Sequence, residues 1–158
     1  MECSSAPVVF SHSNSWAVVQ HQRNITDEQV RACAATGGVI GVNGIDAFLG
    51  GKDYARKMVD HVLHYVDLVG PEHVGIGLDY FFSPDAGLES QDGFNAVLAA
   101  DTSFWPLDQY PNGKVECAPP QQLVELADGL LRRGYSDGVV RGILGQNFLR
   151  VARLVWGR

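Results

Sequence analysis

Gly37-Gly38-Val39-Ile40-Gly41-Val42-Asn43 joins the end of one helix to a buried strand, and the same pattern recurs on both sides of it. Glycine accepts the left-handed backbone that a helix stop requires, so the pair ends whatever helix precedes it. Val39 to Val42 shows no polar alternation, which predicts a strand covered on both faces, as in a parallel sheet. Upstream, Pro7-Val8-Val9-Phe10-Ser11 is a second such run. Between the two, Thr26 stands as an N-cap and Gln29 completes a capping box; Asp27 and Glu28 suit the positive end of a helix over Asp27–Thr36. Downstream, Gly44–Lys52 reads as a loop. From Asp53 the residues Ala55, Met58, Val59, Val62, Leu63, Val66 and Val69 recur at helical spacing, and Gly70-Pro71 stops that helix. His73-Val74-Gly75-Ile76-Gly77-Leu78 is then a third strand, ending at Asp79. Strand, helix, strand, helix, strand calls for right-handed crossovers and a parallel sheet, so the fold class is α/β.

Residues 80–118 carry no clear periodicity and are expected to be a long loop insertion within one domain spanning 1–158. Two helices follow. One starts at Pro119-Pro120, turns Leu123, Val124, Ala127, Leu130 and Leu131 inward and stops at Gly134. Ser136 caps the next, which carries Val139, Val140, Ile143 and Leu144, meets Gly145, and resumes through Asn147-Phe148-Leu149-Arg150-Val151 to Trp156. Three parallel strands fit a small open sheet or a segment of a (β/α)8 barrel, which normally needs about 250 residues. Both plans place chemistry at the C-terminal strand ends. There the sequence puts Ser11-His12-Ser13, Asn43 and Asp79.

Composition narrows the functions. The 158 residues are 46% hydrophobic, with 12 Lys+Arg against 18 Asp+Glu for a net charge of −6, which disfavours nucleic acid. Three cysteines, Cys3, Cys33 and Cys117, form no CxxC pattern and read as reduced thiols, so a cytoplasmic setting is expected. No apolar run reaches the roughly 18–20 residues of a transmembrane segment. Met1 to Ala6 lacks the basic and apolar regions of a signal peptide.

Local sequence leaves the candidate residues open. His12 is either a metal ligand or general base, or a turn histidine satisfied by flanking serines. Asp79 follows glycines that allow a backbone to approach a ligand closely, or it caps a turn. Arg23 either clamps a carboxylate or is a solvated loop arginine. His61 and His64 sit on one helix and read as solvated surface. Gly75-x-Gly77 lacks the third glycine of a phosphate site. Asp85, Glu89, Asp101 and Asp108 fall in the long loop and need no special role.

The blocks Pro7-Val8-Val9-Phe10-Ser11-His12-Ser13, Arg23-Asn24, Gly75-Ile76-Gly77-Leu78-Asp79 and Asn147-Phe148-Leu149-Arg150-Val151 together resemble the renal (membrane) dipeptidase family of zinc metallopeptidases, in its bacterial branch. The resemblance implies a (β/α)8 TIM barrel of the metal-dependent hydrolase type, cleaving dipeptides at a centre of two zinc ions. This chain would hold about strands six to eight. His12 matches a metal ligand. Arg23 matches the arginine that binds the substrate carboxylate, and Asp79 the acid that moves protons and faces the substrate ammonium. Other members carry Gly-Asp-x-Asp-Gly where this chain has Leu78-Asp79-Tyr80-Phe81-Phe82, so only the first aspartate carries over. The family's other ligands, a His-x-Asp pair, a bridging glutamate and a further histidine, lie on earlier strands with no counterpart here. The expectation is therefore a truncated fragment, inactive alone, that lacks an N-terminal half in which any targeting signal would lie. A homo-oligomer would multiply His12 without supplying the bridging carboxylate. Two alternatives remain: a non-catalytic partial barrel that binds a partner or peptide without metal, and a small α/β domain using His12 and Asp79 as a metal-free acid/base pair.

Overall fold

A computed structural model describes residues 4–80, 91–110 and 114–157. Strands β1 (Val9–Phe10), β2 (Val39–Val42) and β3 (Val74–Ile76) pair in parallel in the order β1-β2-β3. Val9 pairs with Val39, Phe10 with Ile40, Gly41 with Gly75 and Val42 with Ile76. Around them lie helices α1 (Asp27–Ala35), α2 (Asp46–Leu49), α3 (Tyr54–Val69), α4 (Gln91–Ala100), α5 (Gln122–Leu131), α6 (Asp137–Arg141) and α7 (Asn147–Trp156). The capping box at Thr26 forms as expected, with the Thr26 N–H donating to Gln29 Oε1 at 2.9 Å. The Ser136 hydroxyl accepts from the Val139 N–H.

Side chains paired across a parallel sheet share a face. On one face Phe10, Ile40, Val42, Val74 and Ile76 join a core with Val30 and Cys33 of α1, Met58, Val59, Val62 and Tyr65 of α3, Leu126 and Leu130 of α5, and Val140 of α6. Each such side chain contributes about 1.5–3 kcal/mol on full burial. Strands of two to four residues are thus held by their helical cover more than by their own ladder. The other face carries Gly41 and Gly75, and Phe148 of α7 fills the space their missing side chains leave. The Asn147 side-chain amide donates to the carbonyls of Pro71 (2.8 Å) and Val74 (2.7 Å). Arg150 donates to those of Gly37 and Glu72, both at 3.0 Å. The Asn147-to-Val151 block is therefore a clamp on the N-terminal edge of the sheet, opposite the edge expected to carry chemistry.

Several expectations need correction. The supposed loop Gly44–Lys52 contains α2, and the irregular stretch 80–118 contains α4, where Leu98 is the fully buried residue. α2 is a single turn, too short for a periodic pattern, and α4, though as long as α5, buries only Leu98 fully among its described side chains and so shows no apolar stripe. On α5, Val124 and Leu131 face outward at 73% and 43% exposure, because the buried stripe is Leu126 and Leu130. Cys33 and Cys117 are free, buried thiols, while Cys3, Phe81, Phe82, Asp85 and Glu89 lie outside the described residues. No helix among the described residues is long and apolar enough to cross a membrane.

His61 and His64 are not a solvated pair. His64 Nε2 meets Asp27 Oδ1 at 2.8 Å, tying α3 to α1. His61 is fully buried, and its Nδ1 accepts the Ser15 N–H at 3.1 Å. Burial lowers the pKa of His61 from 6.5 to about 4, with the nearby His64 and Lys57 adding to the shift and the Leu49 backbone opposing it. Between those two values only the unfolded chain takes up the proton, so stability falls as pH drops through that window and the loss is complete below the folded value. By pH 5 the loss is about 2 kcal/mol. His61→Gln keeps an acceptor for Ser15 but cannot titrate. Its urea midpoint should fall less from pH 7 to pH 5 than the wild-type midpoint, the remaining fall coming from His21, whose pKa burial also lowers; parallel curves would show that His61 is not the source.

Candidate active site

β1 runs out through Ser11-His12-Ser13, and the Ser13 N–H donates to the Gly41 carbonyl at 2.7 Å. This turns the chain back across the end of the sheet. A side chain on Gly41 or Gly77 would collide with the Ser11 carbonyl, and one on Gly77 would also stand 3.2 Å from His12 Cα. The backbone that approaches these glycines is thus the chain's own, and it sets His12 beside the end of β3.

His12 is half-buried, and its Nδ1 lies 2.7 Å from Ser11 Oγ. The serine contact expected of a plain turn histidine is present. It is also compatible with a ligand, because an Nδ1–H donated to Ser11 leaves the Nε2 lone pair available. Asp79 is exposed just past β3 and sits at φ 58, the one non-glycine residue with positive φ among those described. The Asn43 amide donates to its Oδ2 at 3.3 Å, and the Cys117 thiol to its carbonyl at 3.4 Å. Burial, with Asp79 and Asp46 nearby, pushes that thiol up to about 12, so without a cation beside it the thiol stays protonated near neutral pH.

Arg23 occupies the loop between β1 and α1. His21 fixes that loop. Its Nδ1 accepts the Arg23 N–H at 3.2 Å and its Nε2–H donates to the Gln109 carbonyl at 3.0 Å, which defines a neutral tautomer; burial lowers its pKa. The buried Asn24 amide ties the same loop to the carbonyls of Val19 and Phe48, both at 2.9 Å. The Arg23 guanidinium stands 5.7 Å over the Phe48 ring, which packs edge-on to Tyr110. It forms no ion pair among the described residues.

His12 and Asp79 thus lie at the same end of the sheet: Ser11 approaches Gly77, two residues before Asp79, and Asn43 bonds both Asp79 and Asn14, two residues after His12. No hydrogen bond or ion pair joins His12 to Asp79 among the described residues. Arg23 is joined to that rim indirectly: Phe48 and Tyr110 belong to a cluster with Ile45, Val115 and Cys117, and Cys117 reaches Asp79. No hydrogen bond or ion pair links Arg23 to His12 or Asp79 among the described residues. Sequence reasoning marked Asn43 as a polar strand end without giving it a task, and missed Asn14, His21, Phe48 and Tyr110 altogether.

The donor set does not hold a metal by itself. A catalytic zinc takes three protein ligands as a rule. Among the described residues no group of three His, Cys, Asp or Glu side chains could hold a metal ion.

The pattern that defines the membrane dipeptidases, Peptidase family M19, matches residues 1–100. The chain belongs to this family. It is 33% identical to Dipeptidase ataJ of Aspergillus terreus over 96% of its own length and 32% of that protein's. It is 34% identical to Dipeptidase verJ of Clonostachys rogersoniana over 94% of its length and 31% of the relative's. The chain therefore spans about a third of these curated relatives. Among solved structures, an amidohydrolase from Pseudomonas aeruginosa superposes with a TM-score of 0.73 at 28% identity, over 98% of this chain and 47% of that one. A dipeptidase of family M19 superposes at 0.67 and 25% identity, over 99% and 40%. The three strands and their helices are thus a partial α/β unit of the kind these hydrolases contain.

Proposed function

We propose that residues 1–158 form about strands six to eight of a (β/α)8 barrel and contribute His12, Arg23 and Asp79 to a zinc-dependent dipeptidase whose remaining strands and metal ligands come from polypeptide outside these residues. The observation that carries the reading is a charge pattern. Arg23, which forms no ion pair among the described residues, and Asp79, held by a neutral amide, would face one substrate from the end of the sheet that carries His12. A dipeptide bears one carboxylate and one ammonium close together, so a site selecting it needs a fixed cation and a fixed anion. Arg23 would take the carboxylate in a bidentate grip. Asp79 would pair with the ammonium and carry a proton to or from the reacting amide. His12 would supply one ligand of the zinc centre. A metallopeptidase from Rhodobacter sphaeroides that shares the fold, at 24% identity and a TM-score of 0.62, was crystallised with a phosphinate mimic of the dipeptide L-Ala-D-Ala.

The alternative, a partial barrel that binds a partner without metal, is favoured by one feature. A groove of about 400 Å³ runs between β1 and α7, lined by Pro7, Val9, Phe148, Val151, Val155 and Trp156. Among the described residues β1 pairs only with β2, and Trp156 is 79% exposed. An open strand edge beside an apolar groove aggregates or finds a partner. The dipeptidase reading accounts for the same surface as the place where the rest of the barrel seats.

Hydrolysis of Ala-Ala separates the two. Residues 1–158 alone with added zinc should show no turnover. The same residues completed with the remaining strands of a family barrel should hydrolyse it, and His12→Ala should abolish the activity. A completed, folded and zinc-loaded barrel that leaves Ala-Ala intact would remove the dipeptidase reading. Turnover by the pure 158-residue chain would show that it needs no outside ligands.

A further inference from the structure

We infer that Asn43 is the positioning residue for Asp79; this rests on the dipeptidase reading for its purpose and on the hydrogen bonding alone for its geometry. Asn43 is 1% exposed at the end of β2, in a core where an unpaired amide would be costly. Its backbone is locked to Asn14, itself fully buried: the Asn43 N–H donates to Asn14 Oδ1 at 2.9 Å, and Asn14 Nδ2 donates to the Asn43 carbonyl at 3.2 Å. Its side-chain oxygen accepts the Ile45 N–H at 2.6 Å. That bond decides which way the amide points. With Oδ1 committed to a backbone donor, the NH2 group must face the other way, toward Asp79 Oδ2 at 3.3 Å. Asn43 thus offers the carboxylate donors only.

The consequence is directional. Asp79 is exposed, so its carboxylate would otherwise sample several rotamers in water. Two tethers restrict it: the Cys117 thiol on its carbonyl and the Asn43 amide on its side chain. A neutral donor steers the carboxylate without neutralising it, which leaves the charge for a substrate ammonium. The Asn14–Asn43 lock carries the steering back to the segment that follows His12. The three strand ends therefore share one polar connection, buried at Asn14 and Asn43 and open to solvent at Asp79, which sets the anion relative to the segment that carries His12. Pre-set geometry of this kind is what proton transfer within a site depends on.

The test uses the 158-residue chain and nuclear magnetic resonance. Three-bond couplings from Asp79 Cγ to its backbone N and C′ should report one χ1 rotamer in the wild type. Asn43→Asp preserves the acceptor for Ile45 and the lock to Asn14 but places a carboxylate against a carboxylate. It should drop those couplings to rotamer-averaged values while the Ile45 and Asn14 signals hold. In the reciprocal variant Asp79→Gly, which also suits the positive φ, the Asn43 side-chain amide should shift and exchange faster with an unchanged Ile45 amide. Averaged couplings in the wild type overturn the inference, as do couplings unmoved by Asn43→Asp or an Asn43 amide unmoved by Asp79→Gly. Should Asn43→Asp fail to fold, the wild-type couplings and Asp79→Gly still decide. A failed Ala-Ala assay would remove the purpose and leave these couplings as they are, so the two failures are distinguishable.

Discussion

Gly77→Ala is expected to cost at least about 3 kcal/mol and to dismantle the C-terminal rim of the sheet. The added methyl group would lie inside the Ser11 carbonyl, 3.0 Å from Ser11 C and 3.2 Å from His12 Cα. All three atoms belong to the main chain. No rotamer change relieves the overlap, and moving Ser11 also breaks the bond from Ser13 to Gly41. Because the folded state of a small domain is stable by only about 5–15 kcal/mol, a loss of this size shows directly in a denaturation curve. Gly75 supplies the control. There the obstacle is the Phe148 ring, a side chain that can be cut back. Gly75→Ala should destabilise, and Phe148→Leu should recover part of the loss in the double variant. No side-chain truncation should rescue Gly77→Ala. A Gly77→Ala chain that melts within about 2 °C of the wild type would mean that Ser11 does not cross the sheet as described.

These glycines show where sequence reading works and where it stops. Val39 to Val42 and His73 to Leu78 announce buried strands because burial on both faces leaves no polar alternation. The helices between them announce themselves through caps and periodicity. That much follows from local chemistry. Gly41, Gly75 and Gly77 are visible as glycines, but what approaches them, Ser11 in two cases and Phe148 in two, depends on residues far away in the chain. Asn43 is legible as a polar end to an apolar strand, yet its partners come from the ends of two other strands. His61 has the spacing of a surface histidine until Ser15 and Leu49 close over it. His12 and Asp79 are legible because each follows a strand of a parallel sheet, where chemistry is placed; Arg23 is legible only as a cation in the loop before α1. Their neighbours Asn14, His21, Phe48 and Tyr110 carry no such positional signal. They act by holding others, and support of that kind is a property of three-dimensional packing.

In the completed barrel, Arg23→Ala should raise KM for Ala-Ala by roughly 10- to 150-fold, the worth of hydrogen bonds to a charged group, with a smaller change in kcat. Asp79→Asn should instead lower kcat by about 10²- to 10⁴-fold, the usual contribution of a positioned acid or base. Substrate chemistry makes the assignment specific. Converting the Ala-Ala carboxylate to an amide removes the group that Arg23 would grip. The wild type should then lose about the affinity that Arg23→Ala loses, and the variant should lose almost nothing more, since one interaction cannot be deleted twice. Arg23→Lys should recover only part of the affinity, because an ammonium lacks the planar fork that meets both carboxylate oxygens. His21 enters as a separate check: His21→Phe keeps a ring beside Phe48 but loses the acceptor for the Arg23 N–H, and should raise KM less than Arg23→Ala does. Equal penalties for blocking the carboxylate in the wild type and in Arg23→Ala would place the substrate's charged end elsewhere on the rim, and the charge pattern that supports a dipeptide would lose its cation.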